Sequence, residues 1–85
     1  MDAASLEKKI RAILAANLKK CGLVLRVKNT ESLINSNIID SLGALEFVSQ
    51  LEKIFRIKIS PEEMTELNFD SIVKIAEFIK RKMQI

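Results

Sequence analysis

Three stretches of this chain repeat apolar residues every three or four positions, and that spacing leaves little choice of fold. Leu6, Ile10, Ile13, Leu14 and Leu18 line one side of a helix over residues 4–20. Ala44, Val48, Leu51 and Phe55 share a face at about 100° per residue, flanked by Leu45 and Phe47. Ile72, Ile75, Ala76, Ile79 and Met83 make a third stripe, with Phe78 beside it. Only 2 glycines and 1 proline are present, too few turn formers for a many-stranded β fold. The expectation is an all-α fold: a four-helix bundle with three main helices, one short helix and a long first loop. With 85 residues it is one small domain, 1–85, with a thin core.

The boundaries follow from local chemistry. Gly22 is a natural stop for the first helix, and Asp40 can cap a helix from Ser41 to Phe55. Phe55 to Ile59 alternates and reads as an extended connector. Ser60-Pro61-Glu62-Glu63 is a capping box with proline at the first helical position, which predicts a short helix over about 60–67. Asp70 is expected to cap the last helix. Residues 22–40 lack helical periodicity. Leu23, Leu25 and Val27 alternate with Val24 and Arg26, so a short strand is possible there. Leu33, Ile34, Ile38 and Ile39 are expected to pack back onto the helices, since so long a connection is uncommon in a small domain without a role.

Composition removes several chemistries. The chain has no histidine, hence no self-contained Ser-His-Asp or Cys-His machine. Its 1 cysteine, Cys21, forms neither an internal disulfide nor a metal site by itself and reads as a small, semi-buried apolar residue. No metal site and no catalytic residue is expected. No apolar run approaches the roughly 20 residues needed to span a bilayer. A reduced cytoplasmic setting fits best, without stable membrane insertion.

Charge is unevenly spread. Net charge is +3, yet residues 29–52 carry Glu31, Asp40, Glu46 and Glu52 and no lysine or arginine. The basic excess lies in the first helix and in Lys80-Arg81-Lys82. A small basic nucleic-acid-binding domain is one reading of this balance. The absence of Trp and Tyr and the split of basic residues between two ends argue against it. An unmodified helical protein-interaction domain is another alternative.

The stretch Asp40-Ser41-Leu42 raises a specific question. Leu42 aligns with Glu46, Ser49 and Lys53, so an apolar residue stands on the solvent side at the very start of its helix. Asp40 as a plain cap says nothing about function, and an exposed leucine is common on any surface.

The stretch SNIIDSLGALEFVSQLEKIFRIKI resembles the carrier proteins that bear a phosphopantetheine arm: acyl, aminoacyl and peptidyl carriers. The family's Asp-Ser-Leu stands here as Asp40-Ser41-Leu42. Leu45, Glu46, Val48, Leu51, Glu52 and Phe55 follow, then Ile57 and Ile59. Asn37-Ile38-Ile39 is similar to the Gly-Leu-Leu or Gly-Ile-Ile of stand-alone and D-alanyl-type carriers, and asparagine also tolerates the left-handed conformation. The resemblance implies 4′-phosphopantetheine attached covalently to Ser41 by a phosphopantetheinyl transferase. A serine at a helix start suits this, because free backbone N–H groups and the helix dipole favour a phosphodiester. Without histidine Ser41 is no self-sufficient nucleophile, so the protein is not an enzyme, and chemistry belongs to the arm and to partner enzymes. The resemblance further implies an acyl or aminoacyl ligase, a downstream acyl-accepting enzyme, and a monomeric carrier. Partner contacts would come from Asp40, Leu42, Glu46 and Glu52, with Met64 either in the core or shielding the arm. Fatty-acid carriers are usually strongly acidic. The basic balance here, with Ser49, Lys53 and Ile54 where glutamates or a larger apolar residue are common, points to a dedicated pathway with its own ligase.

Overall fold

A computed structural model of the chain describes residues 2–38 and 44–83. Four α-helices appear in it: α1 (Ala3–Lys20), α2 (Ala44–Phe55), the short α3 (Glu66–Phe69) and α4 (Ile72–Met83). No strand occurs among the described residues. The all-α expectation of three main helices, one short helix and a long first loop holds. The cap at Asp40 and the packing of Ile39 lie outside the described residues.

Helix α1 is the central element and packs against both α2 and α4. Its stripe of Leu6, Ile10, Ile13, Leu14 and Leu18 is fully buried, each side chain contributing about 1.5–3 kcal/mol by leaving water. At its start, the Asp2 carboxylate accepts the Ser5 backbone N–H at 2.8 Å. That bond, with the lysine charge at Lys80 as the least of several causes, holds the Asp2 carboxyl below its ordinary pKa. Gly22 ends the helix as expected. It sits at φ 78°, while Leu23 N–H reaches Leu18 O (2.8 Å) and Gly22 N–H reaches Lys19 O (3.0 Å). Two orphan carbonyls are thereby satisfied, and the chain turns sharply. Cys21, at the cap position, is exposed and not semi-buried, because the helix end carries it past the packed face.

Two contacts place α2 antiparallel to α1. Lys20 meets Glu46 at one end, and Lys9 Nζ lies 5.8 Å from the Phe55 ring centroid at the other. Phe47, Val48, Leu51 and Phe55 form the buried side of α2. Leu45 departs from the expectation: it is 77% exposed. Midway along, Asn17 is buried and donates through Nδ2 to Ile13 O and to Gln50 Oε1, both at 2.8 Å, tying α1 to α2 by a polar bond inside the core.

The long loop is anchored without strand pairing. Arg11 of α1 donates to Val27 O (2.7 Å) and Asn29 Oδ1 (2.9 Å), while Asn29 O accepts Val73 N–H of α4 (3.1 Å). Alternation at 23–27 puts Leu25 and Val27 against the core, but no neighbouring strand exists to pair with. Leu33 is fully buried and Ile38 half-buried, as expected, whereas Ile34 stays exposed. Leu33 N–H and the Ser32 hydroxyl both donate to Asp70, to its backbone and carboxylate oxygens respectively. Asn37 takes φ 59°, the left-handed conformation its side chain tolerates.

The short helix expected at 60–67 is split. A single 3-10 turn spans Pro61–Glu63, Met64 leaves the helical region, and α3 begins at Glu66. The Asn68 amide donates to Glu63 O (2.9 Å), taking a carbonyl that a continuous helix would have used. Asp70 does not cap α4. Ser71 does, its Oγ accepting Lys74 N–H at 3.1 Å, because Asp70 is committed to the loop. Ile72, Ile75, Ala76, Phe78 and Ile79 are buried as expected, but Met83 at the helix end is 44% exposed.

Glu63 closes this region. Its carboxylate accepts Ser60 N–H at 2.9 Å and pairs with Lys82 at 3.0 Å. The Ser60 bond first, and Lys82 next, hold its carboxyl below the ordinary glutamate pKa. A depressed folded pKa adds stability above the unfolded value and loses it as pH falls through the folded one. Glu63→Gln should therefore lower Tm at neutral pH, and its gap to wild type should close on acidification. Thermal melts from pH 7 to below the glutamate range check this. A gap that stays the same in acid would mean that the ionised carboxylate adds nothing.

Candidate functional site

The expected site lies where the long loop enters α2. Asp40, Ser41 and Leu42 lie outside the described residues. The surfaces on either side of them are described, and they define the setting.

Two consecutive residues in the first turn of α2, Leu45 and Glu46, are both exposed. Leu45 belongs to this outer surface and not to the core, so an apolar and an acidic side chain stand together near the helix start. Ser49 and Lys53, one and two turns on, are also exposed, which keeps this line of α2 free of core contacts. The acidic face is not free of positive charge in space. Lys20, at the end of α1, sits 3.8 Å from Glu46. Both side chains are mostly in water, so the pair contributes little to stability and opens readily.

Glu52 is placed differently. Its Oε2 accepts Ile59 N–H at 2.8 Å, and the residue is half-buried. It fastens the connector after α2, where Arg56 turns the chain in the left-handed region at φ 57° and Ile57 N–H bonds Glu52 O at 3.1 Å. Its carboxylate is thus a backbone acceptor at the far end of the helix.

Met64 lines a narrow cleft of about 100 Å³ between the loop, α2 and α3, with Ile34, Phe47, Val48 and Phe69 as the other apolar walls. Thr65 and Glu66 add polar groups to its lining. Of the two expectations for Met64, packing against the core is what is seen, and the side chain also faces the cleft. Leu67, on α3, is 79% exposed. Sequence patterning did not mark it, because α3 spans only Glu66–Phe69, too short to show a period. A second hollow of about 190 Å³ borders the loop side, between Leu18, Leu23, Val24 and the Ser36–Ile38 turn. No cluster of metal-ligating side chains occurs among the described residues.

A slender, mostly apolar chain with amide groups fits this setting. The cleft offers apolar walls along its length, with Thr65 as a hydroxyl partner. 4′-Phosphopantetheine has that chemistry, with a phosphodiester at one end and a thiol at the other. It supplies the thioester, while the protein supplies position and surface.

Comparison with known proteins is consistent with this. A family model described as phosphopantetheine attachment site matches residues 8–79. The D-alanyl carrier protein of Streptococcus uberis is 34% identical over 50 residues, which cover 59% of this chain and 63% of that protein. The D-alanyl carrier protein of Streptococcus pyogenes serotype M5 is 30% identical over a stretch with the same coverage. The chain thus spans less than two thirds of the length of these curated relatives. No solved structure matches. The family match extends over most of the sequence, and the chain belongs to the phosphopantetheine attachment site family, whose cofactor is a covalently held 4′-phosphopantetheine.

Proposed function

We propose that Ser41 carries the arm and that the thioester it bears is a small acyl or aminoacyl group, D-alanyl in class. The observation that carries the first half is the state of the other serines. Ser32 bonds the Asp70 carboxylate, Ser36 bonds Ser32 O, Ser60 bonds Glu63, and Ser71 caps α4. Ser5 sits beside the Asp2 carboxylate, a poor neighbour for a phosphodiester. Ser49 lies in the body of α2, where backbone N–H groups are already used. Only Ser41 stands in the Asp-Ser-Leu motif.

Cleft size supports the second half. The cleft beside Met64 is small, about 100 Å³, which accords with a small acyl group. The streptococcal relatives carry D-alanyl in their names, and the basic balance of this chain separates it from fatty-acid carriers. In this reading the chain works as a single-domain monomer in the cytoplasm. A phosphopantetheinyl transferase primes it, a ligase charges it, and an acceptor enzyme discharges it. Asp40, Leu42, Leu45 and Glu46 meet those partners.

Incubation with a broad-specificity transferase and coenzyme A tests the assignment. One arm should be added, and fragmentation of the tryptic peptide 29–53 should place it on residue 41 and not on Ser32, Ser36 or Ser49. A chain that never gains mass is an unmodified interaction domain. Glu46→Lys should slow priming or charging, most at low salt, since attraction between opposite charges is screened over about 8 Å at physiological ionic strength. Stability should change by less than about 0.5 kcal/mol, as for an exposed residue. Equal rates at all salt concentrations would remove Glu46 from the recognition surface.

A further inference from the structure

The antiparallel packing of α1 and α2 gathers charge at the end of the molecule away from the start of α2. Arg56 and Lys58 follow the last turn of α2, and Lys80, Arg81 and Lys82 fill the last turn of α4. Lys9 reaches the same end, over the Phe55 ring. A groove of about 390 Å³ opens there. Phe55 and Ile57 form its deeper wall, Met83 its outer apolar edge, and Arg56, Lys58 and Lys82 its charged lining.

The acids nearby are already engaged. Glu63 is shared between Lys82 and Ser60, and Glu52 holds Ile59 N–H. No ion pair among the described residues involves Arg56 or Lys58. Nothing in the backbone calls for an arginine at residue 56 either. Its φ of 57° is one that glycine adopts with least strain.

We propose that this groove is a second docking surface, taken by an acidic segment of a partner protein that inserts one apolar side chain against Phe55 and Ile57. Charge complementarity selects the acidic chemistry: a basic rim in which Arg56 and Lys58 make no ion pair among the described residues attracts carboxylates and orients their approach. The concave shape selects a chain segment over a flat lipid surface, because the apolar residues lie recessed behind the charges. A partner held at this end leaves the start of α2, at the other end, open to the enzymes of the proposed function.

The test uses the full chain and a fluorescein-labelled peptide of six glutamates flanking a central Leu-Phe pair. Fluorescence anisotropy should show binding that weakens from about 0.02 to 0.15 M salt. Amide chemical shifts should move at residues 55–58 and 82–83. Arg56→Glu with Lys58→Glu should weaken binding about tenfold or more, two reversed charges being enough for that at low salt. Lys20→Glu, at the opposite end, and Ser41→Ala should bind as wild type, so the result is independent of the arm assignment. A peptide with glutamine in place of glutamate, or alanine in place of the Leu-Phe pair, should bind much less. The proposal is overturned if the double reversal binds as wild type, or if Lys20→Glu costs as much as the double reversal. It is overturned equally if vesicles containing phosphatidylserine move the same amides while the peptide does not, for the surface would then belong to lipid.

Discussion

Ser41→Ala should fold like the wild type and never gain a phosphopantetheine arm. The effect is all-or-none because, in the proposed assignment, it removes the one oxygen to which the phosphodiester is joined. No histidine exists in the chain to activate a substitute hydroxyl, so reactivity depends on the transferase finding a serine at the expected helix start. The substitution removes one hydroxyl and leaves Asp40, the cap expected from the sequence, in place, so stability should stay within about 0.5 kcal/mol. Intact mass after priming, with a thermal melt of the same sample, reads both halves. An alanine variant that still gains the arm would move the site to another serine. An alanine variant that fails to fold would make Ser41 structural.

Leu33→Ala has the largest expected effect on stability. Leu33 is a loop residue, yet its side chain is fully buried in the same core as Leu14 and Ile75. Deleting a buried leucine side chain to the β-carbon costs about 2–5 kcal/mol. A domain of this size is stable by only about 5–15 kcal/mol, so the variant should be partly unfolded well below the wild-type Tm. Ile34→Ala, next door and exposed, is the control and should cost less than about 1 kcal/mol. Urea titration of both variants decides the matter. A Leu33→Ala cost below that of Ile34→Ala would show that the loop is not held by its side chain.

Where repetition carries the information, the sequence was a good guide. The α1 stripe, Leu51 and Phe55 in α2, and Ile72 to Ile79 in α4 recur often enough for period and burial to agree. It misled where one bond outranked a local pattern. The capping box at Ser60–Glu63 starts a helix, but the Asn68 amide takes the Glu63 carbonyl and stops it after one turn. Asp70 has the chemistry of a cap, but a loop serine 38 positions away claims its carboxylate and leaves the work to Ser71. Leu45 and Met83 lie at the ends of their stripes, where a helical pattern cannot say how far the neighbouring helix extends. In the candidate site, the motif at residues 40–42 was visible in the sequence alone. The exposure of Leu67 and the approach of Lys20 to Glu46 were not, since both depend on tertiary placement.

Glu46 near one end of α2 and Arg56 just past the other are separated by about 15 Å along the helix axis. That is nearly twice the distance over which salt at cellular strength damps an electric field, about 8 Å. In dilute buffer the molecule is a single dipole, and a charged neighbour exerts a torque on it as a whole. Under cellular conditions each pole lies beyond the screening distance of the other. A positively charged surface arriving at Glu46 then meets Lys20 beside it but almost no repulsion from Arg56 and Lys58 at the far end. A basic protein can in this way present an acidic face, and its net charge says little about what it will approach.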